Sequence, residues 1–285
     1  MLEFLTQPAG FDIGETGVLV YDATQPLWRA MAVGLGNTLR VSLPAMVLAT
    51  LLGTLLAMAR RSSSPGLKFA GNVYVDTVRN VPLLVQLLVW YFLLVDWLPD
   101  SSQALTLLPG VMLSKGGLNF PWPVQSAEAW SWSLPIQDGF NVTGGAAVTP
   151  EYLAVFMALT TYTAAFVSEI VRAGLEAVPQ SLGEAAQTLG ARPHQVMLRV
   201  VLPQALRTMV PAMTNQYLNL VKNSSLAVAV GYPDLVSVGN TALNQTGRAV
   251  ECIAVMMSVY LLLSLLTATL MNWFNTRHAL KGSVT

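Results

Sequence analysis

The sequence contains few charged residues. Only 11% of its 285 residues are Asp, Glu, Lys or Arg, whereas soluble domains contain roughly 25%. Hydrophobic residues make up 53% of the chain, and the formal net charge is zero. A neutral chain has no bulk attraction to nucleic acid. The composition therefore excludes an ordinary soluble domain and predicts a protein embedded in a lipid bilayer.

The residues that usually bind metals or nucleotides are also scarce. The single cysteine, Cys252, lies in an apolar run and excludes a disulfide framework and the usual zinc spacings. A nucleotide-binding loop ends in Gly-Lys-Ser/Thr, but no lysine of this chain follows a glycine. His194 and His278 have no ligating or catalytic companion. We expect a chain that is not an enzyme and binds no cofactor itself, any ATP and Mg²⁺ being held by another chain.

Long apolar segments predict the architecture. A membrane-spanning helix needs about 20 mostly apolar residues. Five segments meet this requirement, at residues 30–59, 78–98, 152–172, 208–230 and 250–274. Residues 99–150 are too rich in proline, glycine and tryptophan to form a helix, and either cover the outer helix ends or form a docking surface. The sequence therefore predicts an all-α polytopic membrane protein with about five transmembrane helices.

Basic residues are distributed unequally between the two sides. Cytoplasmic loops of membrane proteins carry an excess of Lys and Arg. The loops 60–79 and 172–207 and the tail contain ten basic residues, namely Arg60, Arg61, Lys68, Arg79, Arg172, Arg192, Arg199, Arg207, Arg277 and Lys281. The segments on the other side contain only three, Arg29, Lys115 and Arg248. We therefore expect an external lead-in at residues 1–29, a transmembrane domain at 30–275 with 99–150 outside, and a cytoplasmic tail at 276–285.

A polar loop at residues 179–206 interrupts the apolar segments. Ser181 and Glu184 have the spacing of a capping box, which predicts a helix that starts at Ser181. Gly190 suits the left-handed residue after its end, and Pro193 suits the first position of the next helix. The sequence predicts a short helix–turn–helix bracket that faces the cytoplasm.

Polar residues within the apolar segments are candidates for a transport path. Charged groups in a membrane usually face a cavity or the bundle interior. Arg40, Glu169 and Lys222 are such groups. On the fourth segment further polar side chains accompany Lys222 at helical spacing, namely Asn215, Asn219, Asn223 and Ser225. Hydrogen bonds between helices and a local ion pair between Glu169 and Arg172 are the alternative interpretations.

The cytoplasmic loop resembles a known signature. Its fixed positions are Glu184, Ala185 and Ala186, then Gly190, then Leu202 and Pro203. This spacing resembles the loop of ATP-binding-cassette (ABC) importer permeases in which a coupling helix contacts a cytoplasmic ATPase. The resemblance implies the type I ABC importer permease fold and an ATPase-coupling role for these six residues.

Other segments resemble the polar amino-acid branch of these permeases. They are residues 78–92, 162–180 and 220–235, while residues 10–15 and the outer insertion resemble the general L-amino-acid subtype. The resemblance implies a bacterial inner-membrane importer of amino acids. Its implied partners are a cytoplasmic ABC ATPase dimer, a second permease subunit, which is identical or homologous, and a periplasmic amino-acid-binding protein.

An amino acid presents a carboxylate and an ammonium group to its site. We hypothesise that Lys222, Asn223 and Ser225 bind the carboxylate and that Glu169 binds the ammonium group. The alternative function is an autonomous ion-coupled transporter, which predicts inverted repeats and broken helices at the membrane midplane. Neither feature is visible in the sequence. An intramembrane enzyme is a third class, but no triad or paired carboxylates support it.

Overall fold

The structure is a computed structural model that describes residues 3–17, 19–125 and 130–278, and of residues 274–278 only the backbone. Its α-helices are α1 (Leu27–Arg60), α2 (Pro65–Asn80), α3 (Leu83–Asp96), α4 (Pro150–Glu176), α5 (Gln180–Thr188), α6 (Pro193–Val196), α7 (Leu202–Asn223), α8 (Leu235–Thr246) and α9 (Ala249–His278). A π-helical turn, Met197–Val201, joins α6 to α7, and a 3-10 helix, Ser224–Val230, follows α7. Residues 279–285 of the predicted tail lie outside the described residues.

The predicted transmembrane segments correspond to helices. Among the described residues, α1, α4 and α9 are each long and apolar enough to cross a membrane, and α2 with α3 forms a fourth candidate. The predicted segment 208–230 corresponds to α7 and the 3-10 helix after it. Helix α7 is not among these candidate spans within the described residues, because polar residues lie along one of its faces and lower its hydropathy. The prediction of a helical polytopic membrane protein is confirmed.

The second predicted segment has a sharp elbow near its start. Residues 65–80, interpreted from the sequence as part of a loop, form α2, and the helix predicted from residue 78 begins only at Leu83. Proline lacks an N–H group and disfavours a helical residue before it, so α2 ends before Pro82. The chain bends by 107° between α2 and α3. The Gln86 amide donates to the carbonyls of Val78 at 2.8 Å and Val81 at 2.9 Å.

We expect Gln86→Glu to destabilise the elbow, because glutamate keeps the size of glutamine but lacks the NH₂ group. Two carbonyls then lose their donor, and an unsatisfied buried polar group costs about 1–3 kcal/mol. Thermal unfolding of the purified protein in detergent measures the loss. Gln125→Glu, on an exposed strand, is the matched control. Equal melting temperatures for the two variants would show that Gln86 does not stabilise the bend.

Helix α4 lies at the centre of the bundle, against α1, α2, α3 and α7. Small residues allow a close approach between α1 and α4. A Cβ atom on Gly53 would lie 2.6 Å from the Val167 side chain and 2.7 Å from the Ala164 carbonyl oxygen. Small residues at such contacts are typical of membrane helix packing, where backbones approach closely.

Polar side chains of α1 hold the turn that precedes α8. The Asn37 amide donates to the Pro233 carbonyl at 2.9 Å, and the Leu235 N–H donates to the Thr38 hydroxyl at 3.1 Å. The buried Tyr232 hydroxyl donates to the Asn37 carbonyl at 3.0 Å. These contacts fix residues 232–235 to the first half of α1, and we call them the α1–α8 lock.

The insertion at residues 99–150 consists of short antiparallel strands, which the sequence analysis did not predict, although it correctly excluded a long helix there. One sheet has the order β1-β2-β3-β8, and two hairpins pair β4 with β5 and β6 with β7. The strands are β1 (Leu105–Leu108), β2 (Val111–Ser114), β3 (Gly117–Phe120), β4 (Trp122–Gln125), β5 (Trp130–Ser133), β6 (Ile136–Asp138), β7 (Asn141–Thr143) and β8 (Ala146–Val148). The all-α prediction therefore holds for the membrane part and not for this insertion.

The lead-in, residues 1–29 of the sequence, packs through its described residues against α1, α8 and α9. Phe4, Ala9 and Ile13 are buried in one cluster with residues of α1, α8 and α9. Cys252 is buried in the same cluster with a free thiol, which agrees with a packing role.

Candidate coupling helix and transport path

Helix α5 begins one residue earlier than the sequence predicts. Pro179, with φ −56° and ψ 130°, precedes the helix, and the Leu182 N–H donates to its carbonyl at 3.2 Å. The predicted capping box is therefore wrong, because Ser181 lies inside the first turn. Glu184 lies mid-helix with an exposed side chain, and within the described residues it has no ion-pair partner.

The end of α5 matches the prediction for Gly190. Its φ is +88°, and the Ala191 and Gly190 N–H groups donate to the Ala186 and Gln187 carbonyls at 3.0 and 2.8 Å. This pair of bonds is a Schellman motif, in which glycine adopts the left-handed conformation. Pro193 occupies the first turn of α6, as predicted.

The surface of α5 is left uncovered by its own chain. None of its residues is buried, and Leu189, directly after it, is 89% exposed. Helix α5 contacts the body through α6 and the π-helical turn, where Val196 is buried. Leu202 and Pro203 begin α7, so the π-helical turn that contacts α5 leads directly into that helix.

The polar residues of α7 lie on one exposed face. Asn215, Asn219 and Lys222 follow each other at helical spacing, and all three are exposed. An exposed polar face on a helix of membrane length is unfavourable against lipid. This face therefore needs water or a second protein beside it.

Lys222 lies at the entrance of a small cavity. With Ser225 and Tyr260 it lines a space of about 410 Å³ whose other walls are apolar side chains of α8 and α9. The Ser225 hydroxyl donates to the Lys222 carbonyl at 2.7 Å. Asn223 is half-buried and lines a different, much smaller space beside α3 and α4.

Glu169 lies away from Lys222 in a cluster of guanidinium groups. Its carboxylate contacts Arg172 at 2.8 Å, Arg60 at 2.9 Å and Arg79 at 3.4 Å. Asn223 lies beside Ala158 of α4, and the eleven residues from there to Glu169 correspond to a rise of about 16 Å. The structure thus contains the local ion pair with Arg172 and does not bring Glu169 to the Lys222 cavity.

Arg40 is the third charged group identified from the sequence. It forms an ion pair with Glu15, and its guanidinium group lies 5.1 Å from the centre of the Tyr152 ring. Glu15 also accepts from the Thr149 hydroxyl at 2.8 Å. The pair ties the lead-in to α1 and to the start of α4.

A family model matches residues 49–279 of the chain, and its description is binding-protein-dependent transport system inner membrane component. The chain belongs to this family. It is a multi-pass inner-membrane permease, and its role is translocation rather than catalysis of a chemical reaction. The helical architecture and the exposed bracket are consistent with that assignment.

Named relatives cover almost the whole permease. The general L-amino acid transport system permease protein AapQ of Rhizobium johnstonii is 36% identical over 97% of this chain and 83% of its own length. The putative amino-acid ABC transporter permease protein YhdX of Escherichia coli is 38% identical over 97% and 85%. A crystal structure of an amino acid ABC transporter with histidines gives a TM-score of 0.64 at 25% identity, covering 87% of this chain and 94% of the other.

Proposed function

We propose that this permease carries L-amino acids inward across a bacterial inner membrane. The observation that carries the proposal is near full-length similarity to two permeases named for amino-acid transport. The Lys222 cavity supports it, because a cation in a largely apolar space suits a substrate carboxylate.

Energy for transport comes from a separate cytoplasmic ATPase dimer that holds ATP and Mg²⁺. The support for this partner is α5, whose exposed residues form a small surface around Glu184, Ala185 and Ala186. Such a surface suits a cleft in another protein. A periplasmic amino-acid-binding protein delivers the substrate to the outer side.

A second permease subunit, identical or homologous, completes the path. The support is the exposed face of α7, because Asn215, Asn219 and Lys222 lie where lipid would be unfavourable. Two such faces opposite each other enclose a polar route between the subunits.

We place the amino terminus and the insertion outside, and α5 and the tail in the cytoplasm, because basic residues are concentrated on the α5 side. Single cysteines at Ser181 and at Ser131, each in a Cys252→Ser background, are expected to react with an impermeant thiol reagent from opposite sides. Labelling of intact cells at Ser131 alone is the expected result. Reaction at both positions from outside would contradict the orientation.

The ATPase partner can be tested by co-purification. We expect an ABC ATPase to remain bound to the tagged permease extracted from its own host, and Glu184→Lys to weaken that association. Glu151→Lys, at the outer start of α4, is the control for an added lysine. An ion-coupled transporter would purify without an ATPase, and its uptake would depend on the proton gradient rather than on ATP.

A further inference from the structure

Two cavities share Arg61, in the turn after α1, on the side where basic residues are concentrated. The first, which we call the basic cavity, has a volume of about 490 Å³ and is lined by Arg60, Arg61, Lys68, Asn72, Arg172 and Glu176. The second, which we call the methionine crevice, has a volume of about 620 Å³ and lies between α1, α4, α7 and α9. Arg61 lines both cavities.

Two of the cationic side chains that line the basic cavity are not paired with a carboxylate of the described residues. Arg60 is paired with Glu169 at 2.9 Å, and Arg172 with Glu176 at 2.7 Å. Arg61 and Lys68, in contrast, have no carboxylate within 4.0 Å in the described part of the chain. Both side chains are exposed. An anion is therefore the ligand that their charges favour.

The methionine crevice has almost no polar group available. Five methionines contribute to its walls, at positions 58, 197, 209, 213 and 271. Its hydroxyl groups are satisfied internally, since Thr50 and Tyr217 hydrogen bond to each other at 2.7 Å and Thr54 donates to the Thr50 carbonyl at 2.7 Å. Apart from Arg61, a polar substrate would find no partner here, whereas flexible methionine side chains adapt to an apolar chain.

Helix α2 indicates that the ligand with an anionic group and an apolar chain comes from the membrane. On α2, Leu67 and Phe69 flank Lys68 and are 56% and 71% exposed. Apolar side chains beside a lysine at a helix start are typical of a helix that lies at a lipid surface. Basic pockets between membrane helices on the cytoplasmic side bind anionic lipid headgroups.

We propose that the two cavities form one site for an anionic phospholipid of the cytoplasmic leaflet. Arg61 and Lys68 hold its phosphate, and an acyl chain occupies the methionine crevice. The crevice lies against α7 and the π-helical turn, through Leu202 and Met197. The lipid therefore contacts the turn that joins α6 to α7. The site rests on the orientation proposed above but not on the substrate or on transport.

Native mass spectrometry of the full chain in detergent tests the headgroup, with dioleoyl-phosphatidylglycerol and dioleoyl-phosphatidylcholine as probes. We expect the wild type to prefer phosphatidylglycerol to phosphatidylcholine. The Arg61→Gln/Lys68→Gln variant should bind phosphatidylglycerol at least about tenfold more weakly than the wild type does. Lys115→Gln, a cation of the outer insertion, should bind as the wild type does. Equal affinities for the two lipids, or no change in the double variant, would overturn the proposal.

The acyl chain is tested separately. Val210 lines the crevice, so Val210→Phe should fill part of it and weaken phosphatidylglycerol binding, whereas Val228→Phe, at an exposed position, should not. Dihexanoyl-phosphatidylglycerol should bind the wild type more weakly than the dioleoyl lipid, a comparison that needs no variant. Displacement of the lipid by millimolar glycerol phosphate would instead indicate a free-phosphate site and refute the lipid assignment.

Discussion

Replacing Gly190 by valine is expected to remove most amino-acid uptake while the permease stays in the membrane. Gly190 has φ +88°, which a β-branched residue adopts at a cost of order 1–3 kcal/mol. A Cβ atom there would meet no other atom within 4 Å, so the whole effect comes from the backbone. The strain is relieved by a change in the turn, which reorients α5 relative to α6. Uptake per inserted permease measures the loss.

Two further glycine substitutions separate coupling from general strain. Gly190→Asn should keep most of the uptake, because asparagine tolerates the left-handed region. Gly10→Val introduces a similar strain in the lead-in, far from Gly190 in the sequence, where φ is +76° and nothing lies within 4 Å of the new Cβ. If Gly10→Val lowered uptake as strongly as Gly190→Val, the effect would not be specific to the coupling helix.

Lys222→Met is expected to lower substrate-stimulated ATP hydrolysis about tenfold or more. The variant loses a hydrogen bond from a charged group to the substrate carboxylate, and such a bond contributes about 1.5–3 kcal/mol to binding. Methionine keeps much of the length of lysine but removes the cation from the 410 Å³ cavity. The permease chain itself should still fold, because Lys222 is exposed in it, and co-purification of the partner subunits checks that the complex assembles. Hydrolysis is measured with and without substrate and binding protein in reconstituted membranes.

Glu169→Gln and Lys115→Met are the comparisons for Lys222→Met. Glu169 is surrounded by three guanidinium groups, so its loss should reduce uptake of cationic, neutral and acidic amino acids equally. A selective loss for cationic amino acids would instead place Glu169 on the path. Lys115→Met should have no effect on hydrolysis. Normal stimulation in Lys222→Met would remove Lys222 from substrate recognition.

The coupling loop shows how far local sequence rules reach. Gly190 and Pro193 were predicted correctly, because a left-handed residue and a first-turn proline depend on backbone conformation that the residue itself dictates. The helix start was predicted wrongly at Ser181. The extended backbone of Pro179 already ends the preceding segment, so the helix starts before the serine can cap it.

The remaining differences arise from contacts that are distant in sequence. The charges of α2 resemble those of a loop, and its helix is evident only from its packing against α1 and α4. Arg60 and Arg79 are 109 and 90 residues from Glu169, so spacing within one helix identified Arg172 alone. Within the insertion, β8 pairs with β3 across 26 or more residues, whereas the other strands pair with near neighbours in the sequence.

The α1–α8 lock also constrains the order of synthesis. The Asn37 side chain and its acceptor on Pro233 are 196 residues apart, which at ~5–20 residues per second corresponds to about 10–40 s of translation. Throughout that interval α1 is already made, yet Asn37 and Thr38, which are 1% and 0% exposed in the folded chain, lack their partners on residues 232–235. Helix α1 is thus synthesised long before it completes its contacts, and nascent chains halted before residue 233 retain an α1 that lacks the hydrogen bonds of the α1–α8 lock.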